Sequence, residues 1–134
     1  MTSYLRNFMY EITVPLRVMV GKKPFMLNLN TYRNSHYQIL NQAKINFKEL
    51  IKPQLHKLPV LGKIIIHYTI YYKDKRKFDL DNIVSVIAKF TQDALVESGI
   101  ITEDNYTIVI GSSNSFGGID KMNPRCQITI TEVT

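Results

Sequence analysis

A single cysteine, Cys126, stands among 134 residues, which excludes an internal disulfide framework and fits a reducing compartment. No apolar run approaches the roughly 18 residues needed to span a bilayer. The opening Met1-Thr-Ser-Tyr-Leu-Arg6 lacks the apolar core of a secretory leader, so the expectation is a soluble cytoplasmic chain without a membrane partner. Acids are in deficit: 11 Asp and Glu against 17 Lys and Arg leave a formal charge of +6. An excess of that size favours a polyanionic partner. Repeats and domain linkers are missing as well. The chain reads as one domain over residues 1–134, long enough to bury a core without staples.

What is present sorts into strands and helices by period. Phe8 to Val20 predicts a first strand with Ile12, Val14 and Leu16 on one face, and Pro15 within it marks an edge or a bulge. Asn30 or Thr31 then caps a helix from about Tyr32 to Lys52. Its residues His36, Leu40, Ala43, Phe47 and Leu50 recur in steps of four and three and face the core. Arg33, Lys44, Lys48 and Lys52 face out, either as a solvated surface or toward DNA phosphates. Between Gly62 and Tyr72, Ile64, Ile66, Tyr68 and Ile70 share one face of a strand, and His67, Thr69 and Tyr71 share the other. Apolar area on both sides predicts a central strand.

A second helix from about Asn82 to Ser98 buries Ile83, Val86, Ile87, Phe90 and Ala94, and Gly99 ends it as a left-handed cap. Tyr106 to Ile110 predicts a strand beside the central one. Gly111 to Pro124 predicts a long loop of turn residues, where Phe116 stacks on a base, closes a dimer contact or packs locally. In the last strand Cys126, Ile128 and Ile130 point inward, so Cys126 is a small core residue. The order β-α-β-α-β-β predicts an α+β fold with one mixed sheet and two main helices.

The chemistry concentrates where the central strand meets the second helix. In Asp79-Leu-Asp81-Asn82, two carboxylates separated by one residue can aim at one point, which suits Mg²⁺ with its oxygen ligands. The same string also serves as a helix cap, through Asp81 or Asn82. Glu103-Asp104 adds acid at the start of the neighbouring strand, and acids at two neighbouring strand ends can converge. Asn82, Ser85, Lys89 and Asp93 form a polar stripe along the helix. Its Lys89 to Asp93 pair is either a positioned ammonium or a weak surface ion pair. Just upstream, Lys73, Lys75, Arg76 and Lys77 form the densest basic run, a phosphate clamp or a solvated loop.

Asp79-Leu-Asp81-Asn82, then Lys89-x-x-x-Asp93-Ala-Leu95, then Gly99-Ile-Ile-x-Glu103-Asp104 resembles the RusA family of Holliday junction resolvases. The resemblance covers Phe78 to Asn105 and extends to Glu11-Ile-Thr-Val-Pro15 and Gln127-Ile-Thr-Ile-Thr-Glu132 as the opening and closing strands. It implies a RusA-like fold, a bacterial or phage source, Mg²⁺ bound by Asp79, Asp81 and Asp104, and assistance to catalysis by Lys89. It implies paired nicks in a four-way DNA junction, which a twofold homodimer with one site per subunit delivers. The interval to Lys89 is longer than in the family pattern by about four residues, close to one helical turn. A non-catalytic nucleic-acid-binding module stands as the alternative. A sugar-transfer enzyme using Asp-x-Asp needs a nucleotide-binding domain for which this length leaves little room.

Overall fold

The computed structural model describes residues 8–133. Strict alternation of apolar side chains builds the central strands. In β4 (Ile64–Tyr72), Ile64, Ile66, Tyr68 and Ile70 are buried, and His67, Thr69 and Tyr71 lie half-exposed on the opposite face. In β6 (Arg125–Glu132), Cys126, Ile128 and Ile130 are buried on the same side as those of β4. β6 lies antiparallel to β4 and also to β1 (Phe8–Val14). The four-stranded sheet has the order β1-β6-β4-β5, with β5 (Val109–Ile119) parallel to β4.

The predicted first strand divides at Pro15. A proline has no N–H to give to a ladder, and past it the chain leaves the main sheet. Residues Arg17–Val20 (β2) pair instead with Lys23–Met26 (β3) in a separate hairpin, whose turn uses Gly21 at φ 63°.

The predicted first helix also divides. Asn28, rather than Asn30 or Thr31, caps α1 (Leu29–Asn34), its Oδ1 accepting the Thr31 N–H at 2.8 Å. Ser35 adopts extended backbone, and its hydroxyl donates to the Thr31 carbonyl. His36 then opens α2 (Tyr37–Leu55), its Nδ1 accepting the Gln38 N–H at 3.2 Å. Side-chain competition for backbone groups is the physical reason for such breaks. The core face of α2 is Ala43, Phe47, Ile51 and Leu55. His36 and Leu50, expected inside, are exposed, Leu50 by 59%. The buried positions recur every four residues rather than in steps of four and three, which leaves Leu50 one position off the core face.

The second long helix, α3 (Leu80–Glu97), buries Ile83, Val86, Ile87, Phe90 and Ala94 as its period predicts, and Val84, Thr91 and Leu95 besides. Gly99 ends it at φ 76°, and the Ile100 N–H donates to the Leu95 carbonyl at 3.0 Å. One continuous core takes side chains from both sheets and from α2 and α3. The mixed sheet and two long helices are those expected, with α1 and the hairpin added. No helix among the described residues is long and apolar enough to cross a membrane.

The largest departure is β5. Its expected strand at Tyr106–Ile110 begins at Val109, and the expected loop over Gly111–Pro124 is strand as far as Ile119, paired from Ile64↔Val109 to Tyr72↔Ile119. The cause is tertiary: β4 supplies a hydrogen-bonding edge to residues of poor strand propensity.

Cys126 and Tyr68 lie inside this core. Burial pushes the Cys126 thiol up to about 12 from an ordinary 9.0. Burial likewise raises the Tyr68 phenol, against a hydrogen bond from Gln92 Nε2 at 2.9 Å. The folded state therefore holds these protons more tightly than the unfolded state. Their contribution to stability is complete below pH 9.0 and is lost as pH rises toward about 12. Calorimetric midpoints are expected to fall across that window, and less steeply in Cys126→Ala; an unchanged slope in that variant excludes the thiol as the cause.

Candidate functional site

β4 delivers the chain to the N-terminus of α3 through an exposed basic loop. Within it Arg76 is engaged locally: Asp74 Oδ1 accepts its N–H at 2.9 Å, and Asp74 Oδ2 lies 3.9 Å from the guanidinium. Lys73, Lys75 and Lys77 are exposed, with no carboxylate partner among the described residues. Phe78 follows, and then Asp79.

Asp79 is the N-cap of α3, in place of the expected Asp81 or Asn82. Its Oδ1 accepts the Asp81 N–H at 3.1 Å. Both aspartates are exposed, and both sit at the N-terminal end of α3. Both side chains are open to water. Asn82 is occupied elsewhere: its Oδ1 accepts the Leu29 N–H at 3.1 Å and ties α1 to α3. Ser85 donates to the Asp81 carbonyl.

Lys89 lies eight residues beyond Asp81, about 12 Å along the axis at 1.5 Å per residue. Its ammonium is 3.7 Å from Asp93, and Lys44 of α2 reaches the same carboxylate at 3.6 Å. Lys48 meets Glu97 at 3.2 Å. The α2 lysines expected to face solvent or DNA therefore partly serve to join α2 to α3, and Lys89 stands near the middle of α3, paired with Asp93.

Asp104 stands at the opposite pole. The helix α3 runs back along the sheet between parallel strands, so Asp79 and Asp81 follow the last residue of β4 while Asp104 precedes the first residue of β5. The helix between them is about 27 Å long at 1.5 Å per residue. Backbone bonds from Leu61 N to Ile100 O and from Ile64 N to Ile108 O pin the Asp104 loop beside the start of β4. Asp104 is exposed there. Its neighbour Glu103 accepts from Asn105 Nδ2 at 2.9 Å and from Thr107 Oγ1 at 3.1 Å, which shapes the turn. Acids at neighbouring strand ends converge only when those are like ends, and a parallel crossover separates them. Among the described residues no three His, Cys, Asp or Glu side chains gather to hold a metal ion.

No protein-family model matches the chain, and no curated protein matches its sequence.

The contacts of Phe78 with Tyr72 and Phe116 beside the basic loop escaped the sequence reading. Phe78 lies tilted against Tyr72, the last residue of β4, at 4.3 Å between centroids, and Phe116 packs edge-on to Phe78 at 6.1 Å. The available signal was Phe78 itself, an aromatic wedged between four cations and two acids. Arg125 lies over the Tyr71 ring at 4.1 Å and pairs with Asp120 at 2.8 Å, so it braces the end of β6 and is not open to a ligand.

Proposed function

We propose that the chain is a Mg²⁺-dependent endodeoxyribonuclease acting on branched DNA as a homodimer. One observation carries this reading: Asp79 and Asp81 stand exposed, two residues apart, at a helix N-terminus reached directly from the Lys73–Lys77 loop. Two carboxylates with a phosphate oxygen make the hard-oxygen donor set that Mg²⁺ prefers. Lys73, Lys75 and Lys77 bind the DNA backbone beside them, each contact making affinity fall with salt. Asp79 and Asp81 hold the metal, whose chemistry when bound is to lower the pKa of water and neutralise charge on the scissile phosphate.

The third carboxylate comes from a second copy in this reading. β5 is an edge strand, with its outer backbone edge unpaired among the described residues. The basic loop flanks one end of it, and Glu103 and Asp104 flank the other. Antiparallel pairing of β5 with the partner subunit's β5 across a twofold axis brings opposite charges together at both ends. It also carries Asp104 of the partner subunit to Asp79 and Asp81. Two sites related by twofold symmetry suit the two matched strands of a four-way junction. Lys89, paired with Asp93, contributes to the backbone-binding surface farther along α3.

The second reading, a basic nucleic-acid-binding protein without catalysis, draws on the separation of Asp104 from the other acids within one chain. A labelled four-way junction and a matched duplex, each with Mg²⁺ and with EDTA, separate the two. Paired symmetric nicks in the junction with Mg²⁺ alone support the nuclease; tight binding without nicks leaves the binding protein.

A further inference from the structure

Phe116 is 49% exposed, and its ring is supported from one side. It is in register with Ile70 and shares that residue's side of the sheet. Phe78 supports it edge-on, and Phe78 in turn lies tilted against Tyr72. The ring therefore presents a surface to water with Phe78 behind it. Beside it lies a groove of about 510 Å³ whose walls include Lys75, Arg76, Lys77, Phe78 and Ile119, within the size range of small-ligand clefts. Asp74 offsets Arg76, so the net charge at the rim is positive.

We infer that this groove is a site for an unpaired DNA base, which stacks on Phe116 while its flanking phosphates lie on Lys75 and Lys77. A flat apolar face among cations matches a flat apolar ligand flanked by anions, and every base supplies one. A base inside a duplex is covered on both faces by its neighbours and cannot offer this contact. The groove therefore selects nucleotides that have left the stack, at a single strand or at a branch point. A second copy is a poorer occupant, because a twofold contact through this groove sets the same lysines against each other. Edge pairing of β5 leaves the ring open, since Phe116 projects from a face of the sheet and not from its hydrogen-bonding edge.

This inference rests on the proposed DNA-binding reading but not on the metal chemistry, so its test runs in EDTA. The full chain is titrated into single-stranded DNA carrying 2-aminopurine and into a matched duplex. Stacking is expected to quench the probe in single strands. Phe116→Ala is expected to lose that quenching and to bind single strands about tenfold more weakly, from about 1.4 kcal/mol of lost stacking. Duplex binding should stay unchanged, and Phe116→Tyr should restore both quenching and affinity. Equal binding of single strands by the wild type and Phe116→Ala overturns the inference, as does an equal loss for single strand and duplex. A change in sedimentation with Phe116→Ala overturns it in favour of a subunit contact, and no binding of single strands by the wild type also sinks it. A chain that cuts junctions with Phe116 silent keeps the nuclease reading without this site. Phe116-dependent binding with no cleavage keeps the site and removes the nuclease.

Discussion

Asp81→Asn and Asp104→Asn, each inactive alone, are expected to recover junction nicking when mixed. If Asp79 and Asp81 of one subunit work with the partner's Asp104, a mixed dimer contains one doubly defective site and one intact site. Half of the dimers in an equal mixture are mixed and each has one good site of two, so activity should return to about a quarter of wild type. Each variant alone should fall by on the order of 10²–10³-fold, the scale of several kcal/mol of lost metal assistance, while junction binding persists. A site built within one subunit gives the opposite result, because every mixed dimer then carries one defect per site. The mixture must be dissociated and refolded or co-expressed so that subunits exchange. The parallel β4-α3-β5 crossover makes this experiment decisive, since it separates the acids along the helix within one chain.

Phe90→Ala should cost about 3–5 kcal/mol of folding stability, a large part of the 5–15 kcal/mol typical of a domain. Phe90 is 2% exposed and touches rings from three other elements: Phe25 at 6.2 Å, Tyr32 at 6.5 Å and Phe47 at 5.5 Å between centroids. It joins β3, α1 and α2 to α3, so its removal leaves a cavity that no single side chain can fill. The adjacent Lys89→Ala should change stability by no more than about 0.5 kcal/mol, since its ion pair is half in water. Urea unfolding of both variants tests this, and a loss below about 1 kcal/mol in Phe90→Ala would show that the cluster relaxes around the gap.

Period and caps made much of this architecture legible. β4, β6 and α3 follow from alternation at Ile64 to Ile70, alternation at Cys126 to Ile130, and the Ile83–Val86–Ile87–Phe90–Ala94 spacing. The start of β5 and its place beside β4 were legible at Val109 and Ile110, but its length was not, because Gly111, Ser112, Ser113, Asn114 and Gly117 favour turns and are strand only through pairing with β4. The break between α1 and α2 depends on the Ser35 hydroxyl and the His36 ring turning to backbone groups, which no periodicity records. At the site, the place of Asp79 and Asp81 where β4 leads into α3 was readable from the sequence. The remoteness of Asp104 was not, since it depends on whether β5 runs parallel or antiparallel to β4. Lys89 met Asp93 as its spacing of four suggests, while the second claim on Asp93 by Lys44 required knowing that α2 lies against α3.

The position of β6 sets the order of events on the ribosome. This strand follows all the other described strands in sequence yet lies between β1 and β4. A nascent chain emerged only as far as Pro124 can pair β4 with β5 but must leave β1 without its partner. Until Arg125 to Glu132 appears, β1 and β4 each expose an edge and an apolar face suited to pairing with the wrong chain. Register of β1 with β6, from Phe8↔Glu132 to Val14↔Cys126, closes nearly the whole described chain into a loop, a slow step for a molecule of this size. Synthesis therefore favours holding the early strands apart, and the chain commits to its native sheet only when its last strand arrives.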